Sequence, residues 1–179
     1  MNVDHLSLNK YSPASLSRLS GCLEILWKLV LRPCGRKKNI EPPIWQQFYH
    51  VLYGLDYWFS GSRESFNAPH FGDRVNSVLG EPSEGVIDQP ELVGYLNFVM
   101  DKTLNFIGGI EVQDLSSPSA LYAKWTNLDV ILEQLRHLQH HVGYMNRVFL
   151  KCKLRPVEWD FYEEVLEDRE KSDVKTVSY

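Results

Sequence analysis

The chain has 179 residues, of which 44% are hydrophobic and 23% charged, and its formal net charge is −4. Length and composition fit one globular domain, residues 1–179, with a sizeable core. The acidic balance excludes nucleic acid as a partner, because the basic run Arg36-Lys37-Lys38 is too short to neutralise a phosphate backbone.

Cys22, Cys34 and Cys152 are widely spaced and form no C-x-x-C pair, so a reducing compartment is expected rather than a disulfide framework. No run approaches the length of a membrane span, and the start MNVDHLSLNKYS lacks a basic stretch leading into an apolar one. A cytoplasmic protein without membrane association is the expectation.

In chain order, SPASLSRLSGCLEILWKLVL from Ser12 predicts a first helix, with Leu19, Leu23, Leu26, Leu29 and Val30 at helical spacing. A second helix follows Pro42-Pro43 and runs from Ile44 to Ser60. Its main stripe is Ile44, Phe48, Val51, Leu52, Leu55 and Phe59, and Trp45, Tyr49, Tyr53, Tyr57 and Trp58 widen the apolar surface. A helix apolar on so many sides is expected to be central.

The stretch from Gly61 to Gln89 shows no period, and is read as a functional lid or a set of short turns. Pro90 opens a third helix at a favoured first-turn position, carried by Leu92, Tyr95, Leu96, Val99, Thr103, Phe106 and Ile107 and stopped by Gly108-Gly109. Thr126 and Asp129 have the spacing of a capping box at the start of the last core helix. On that helix Leu128, Ile131, Leu135, Leu138, Val142, Met145 and Phe149 form the predicted stripe. Residues 153–179 read as a short acidic C-terminal extension to a core of about residues 12–152. Four helices and no alternating strand pattern predict an all-α, up-down four-helix bundle with a long loop between helices two and three.

The last core helix carries three of the six histidines. His137 and His141 lie four apart, so their rings share one side, whereas His140 points roughly the opposite way. Such a pair supplies two imidazoles to a metal, and a third ligand must come from another helix. His50 is the best candidate; His70, in the loop, is a weaker one. A three-histidine set suits zinc, and imidazole also suits nickel, copper and iron. The pair lacks the glutamate of the zinc-protease pattern H-E-x-x-H, because Leu138 follows His137. A peptidase is therefore excluded. Taken by themselves, the pair and His50 are equally readable as packed or hydrogen-bonded histidines.

The segments RHLQHHVGYMN, Arg136 to Asn146, and WQQFYHVLYGLDYWFS, Trp45 to Ser60, resemble the DinB-like (DinB/YfiT-type) superfamily of helical metalloenzymes. The resemblance implies a four-helix bundle in which His50, His137 and His141 hold a divalent metal: zinc first, with nickel, iron or manganese as alternatives. Gly143 fits a frequent feature of the same motif. The resemblance further implies a metal-dependent transferase acting with a low-molecular-weight thiol on a small-molecule substrate, and a homodimer. The competing expectation is a non-catalytic bundle with a structural metal or none, acting through dimerisation or partner binding. Glu133 and Asp56 are the carboxylates expected to orient a histidine or shuttle a proton, against the plainer expectations of a solvated face and a local hydrogen bond.

Overall fold

A computed structural model of the chain describes residues 42–153 and residue 156. The helix predicted from Ser12, the residues His5, Cys22 and Cys34, and nearly all of the acidic extension lie outside the described residues. Among the described residues the structure is three α-helices, α1 Ile44–Trp58, α2 Gln89–Gly109 and α3 Asn127–Lys151, with one 3-10 helix at Val112–Ser116 and no strand. No helix among them is long and apolar enough to cross a membrane.

The helix α1 is the axis of the structure. Not one of its residues is exposed, and Phe48, Tyr49, Val51, Leu52 and Leu55 are buried with Phe59 just beyond its end. Each such side chain taken out of water contributes roughly 1.5–3 kcal/mol before its ordering cost is subtracted. Both α2 and α3 pack on α1. The fully buried layer joins Leu52 and Leu55 of α1 to Leu96 of α2 and to Leu138, Met145 and Phe149 of α3.

Ring contacts fix the directions of the helices. Tyr49 meets Tyr95 and Phe59 meets Phe106, with centroids 6.1 and 4.9 Å apart, so α1 and α2 run the same way. His50 meets His141 near one end while Trp58 stacks on Trp125 just before α3 at the other, so α1 and α3 are antiparallel. The up-down order expected from the sequence is corrected at this point. The connection between α1 and α2 is long enough to carry the chain back along the bundle before α2 begins, whereas a short turn would have forced a reversal.

That connection is a series of turns fastened to α1. Phe71, Val75 and Ile87 are buried in the common core. Gln46, itself buried, directs its Nε2 to the carbonyls of Asn76, Val78 and Glu81 at 3.2, 3.1 and 3.0 Å. Gly61 leaves α1 with φ of +77°, a left-handed conformation that glycine adopts without strain. Both capping arrangements are built from side chains. Asp88 and Glu91 close a capping box at α2, one residue ahead of the expected start, and Thr126 and Asp129 close the expected one at α3.

Candidate metal centre

Three histidines from two helices converge where α1 and α3 cross. His50 Nε2 lies 3.0 Å from His137 Nε2, and one ring nitrogen from each of His50, His137 and His141 falls within 4.8 Å of the other two. The three rings meet edge to face, with centroids 4.7 to 4.9 Å apart. A tetrahedral cation with bonds near 2.0–2.1 Å separates its nitrogens by roughly 3.3 Å, close to the 3.0 Å between His50 and His137.

The rings are held from behind. His50 Nδ1 donates to the carbonyl of Ser77 at 2.8 Å, and His141 Nδ1 donates to Gln47 Oε1 at 2.9 Å. A proton fixed on each Nδ1 leaves each Nε2 as a lone pair, the form in which imidazole ligates a metal. Gly54 makes room for the third ring. A Cβ placed there would stand 3.1 Å from His137 Cε1, closer than a side chain tolerates without displacing the ring. The glycine therefore clears space for the His137 ring.

Burial sets the protonation state. Desolvation, followed by the neighbouring histidines His50 and His140, lowers the pKa of His137 from 6.5 to about 4. Burial, then His137, His50 and His140, lowers that of His141 to about 3. Both rings are neutral at pH 7. The donor set fits a divalent metal of the zinc, nickel or iron type, being all imidazole with no carboxylate among the three.

The remaining candidates fall elsewhere. His140 is on the exposed side of α3, as expected. His70 has a side chain 79% exposed and faces Glu91 at 3.6 Å, outside the cluster. Gly143 is exposed, with open space where a Cβ would be. Cys152 is a free, half-buried thiol at the end of α3.

The two carboxylates expected near the histidines serve other partners. Asp56, 1% exposed, accepts from Tyr95 at 2.8 Å and from Lys102 at 2.5 Å, on the α2 side of α1. Glu133 pairs with Arg136 at 2.7 Å along α3. The groups that orient the rings are instead Gln47, three residues before His50, and a backbone carbonyl of the turn region. The Gln47 spacing is visible in the sequence; a main-chain carbonyl carries no residue signal at all.

A polar cleft of about 430 Å³ is lined by Tyr49, Tyr53, Arg74, Asn76, Ser77 and Ser83 among others, and by none of the three histidines. Ser77 is shared, since its carbonyl holds His50 and its residue forms a wall of the cleft.

These features define the class: a helical protein in which a histidine from one core helix meets an H-x-x-x-H pair from an antiparallel one. The profile of the DinB superfamily matches residues 28–145, and the chain belongs to that superfamily. The matched region contains His50, His137 and His141. No curated protein matches the chain, and no solved structure does.

Proposed function

We propose that His50, His137 and His141 bind one divalent cation, zinc first with nickel, iron or manganese as alternatives, and that the protein is a metal-dependent enzyme, a thiol S-transferase or a close relative of one. The observation that carries this reading is the approach of two imidazole Nε2 atoms to 3.0 Å, with His50 and His141 each fixed at Nδ1 by an acceptor. A cation bound there supplies a Lewis acid that lowers the pKa of a water or thiol in an open position.

The chain's own residues prepare that site. Ser77 and Gln47 set the ring orientations, Gly54 admits the His137 ring, and burial keeps His137 and His141 unprotonated. Tyr49, Tyr53 and the turns around Arg74 and Ser83 wall a cleft that also takes in Ser77, a suitable place for a small polar substrate.

Elemental analysis of protein prepared without an affinity tag or chelator tests the metal. About one equivalent is expected in the wild type and none in a folded His137→Ala variant. Protein that carries no metal and cannot be loaded with zinc, nickel, iron or manganese would overturn the reading.

One observation favours a second reading, a non-catalytic bundle. Among the described residues, Asp56 and Glu133 bind other groups, so neither is placed as an acid or base beside the histidines. The two readings separate on coordination: cobalt-loaded protein whose absorption shifts on adding a small thiol has an exchangeable position, whereas a closed four-ligand site is structural.

A further inference from the structure

Among the described residues two buried side-chain atoms have no hydrogen-bond partner, and only one of them is beside the histidines. Thr103 Oγ1 lies on α2, while Oε1 of Gln134 lies on α3, one turn before His137. Gln134 is 2% exposed. Its Oε1 and His137 Nδ1 lie 3.6 and 3.4 Å from one point, the Cβ position at Gly54. A buried amide oxygen left unpaired is destabilising, so its presence calls for a state of the protein that uses it.

The tautomers decide which nitrogen of His137 is bare. His50 Nδ1 carries a proton, because it faces the carbonyl of Ser77. In the Nδ1–H tautomer His50 Nε2 is a lone pair, and the 3.0 Å contact then requires His137 Nε2 to be the donor. That leaves His137 Nδ1 bare, bordering the same space at Gly54 as the unpaired Gln134 oxygen.

We infer that Gln134 is a positioning residue for His137 that is engaged when a cation enters the site. His137 then exchanges its Nε2–H tautomer for the Nδ1–H tautomer, presents Nε2 to the cation and donates from Nδ1 to Gln134 Oε1. The proton leaves one ring nitrogen and another is taken up at the other through solvent, so the ring is neutral before and after. All three rings then ligate through Nε2 and are held at Nδ1 by uncharged oxygens, those of Ser77, Gln47 and Gln134. Among the described residues no carboxylate joins the three histidines, which favours an anion as the exchangeable ligand. The inference rests on the three-histidine reading above.

The test combines ring-nitrogen NMR with zinc affinity measured by chelator competition. In wild-type protein His137 is expected as the Nε2–H tautomer without zinc and the Nδ1–H tautomer with it. Gln134→Leu is expected to weaken zinc binding roughly 10- to 100-fold and to leave the metal-free melting temperature unchanged or raised. Gln134→Glu, which keeps an acceptor, is expected to hold zinc. If the leucine variant does not fold, Gln134→Met removes the oxygen with a more adaptable side chain and carries the same expectation. Zinc uptake equal to wild type in the leucine or methionine variant overturns the inference alone. So does an Nδ1–H tautomer already present without zinc, or a glutamate variant as weak as the leucine one. A wild-type protein that takes up no zinc overturns the inference together with the reading beneath it.

Discussion

Two buried polar clusters flank α1, and they are built on opposite logic. On the α2 side, Asp56 is closed: Tyr95 and Lys102 occupy its two oxygens, and Lys102 also donates to the Asp56 carbonyl and to Ser60 Oγ at 3.0 and 2.6 Å. On the α3 side, two ring nitrogens face each other and an amide oxygen has no partner. A satisfied network specifies how helices dock, and it asks for nothing more. An unsatisfied one at the same depth marks a place where a further group is needed. Burial of polar side chains therefore does not identify a site; incomplete pairing next to side chains able to ligate does, which separates Gln134 from the equally unpaired Thr103 Oγ1 on α2. The strong upward displacement of the Tyr95 hydroxyl pKa, from burial and the Asp56 charge, belongs to the closed cluster and carries no catalytic meaning.

The comparison can be broken first at Asp56. Asp56→Ala leaves the Lys102 ammonium without its carboxylate in a mostly buried position, and a loss of about 3–5 kcal/mol is expected in urea unfolding. Metal uptake per folded molecule should not change. A variant that unfolds no more easily, or that folds but loses metal, would show that the two clusters are not separate.

A smaller effect is expected from Gly54→Ala. The new Cβ meets the His137 ring at 3.1 Å, and crowding of this kind costs about 1–3 kcal/mol, offset by about 1 kcal/mol of helix propensity gained over glycine. Metal affinity should fall more than stability does. Chelator competition and thermal melting on the same preparation separate the two; an unchanged affinity would mean that the ring has room to move.

The pH dependence of the metal-free protein sharpens the contrast further. His137 and His141 titrate at about 4 and 3 when folded against about 6.5 when unfolded. The unfolded chain therefore binds protons first as pH falls below 6.5, and stability declines from there until the folded pKa values are passed. Denaturation midpoints between pH 7 and 4 should fall less steeply in a His141→Ala variant than in the wild type, and parallel curves would remove the buried-histidine explanation. The smallest effect belongs to His140→Ala. Its exposed side chain predicts a change within about 0.5 kcal/mol and no loss of metal, checked by the same melting and elemental measurements.

Periodicity alone located α1, α2 and α3 and the central place of α1, and it separated His140 from His137 and His141. The Thr126 and Asp129 cap was legible too, because capping depends on neighbours within one turn. The stripe on α3 was read askew. Leu128 is 42% exposed while Val130, Gln134 and Val148 are buried. The buried arc is turned toward Gln134 and His141, two polar residues that a count of apolar positions leaves out.

The sequence by itself determined α1, α2 and α3, the shared side of His137 and His141, and the DinB superfamily to which the chain belongs. Local spacing and side-chain chemistry suffice for those. Only the tertiary structure decided that α1 and α2 run in parallel, that Asp56 serves Lys102 and Tyr95, and that Ser77 and Gln47 hold two of the rings. It also placed the unpaired oxygen of Gln134 beside the third. Each of these depends on which groups from distant parts of the chain arrive at one point, and a hydrogen bond acts only over about 3 Å.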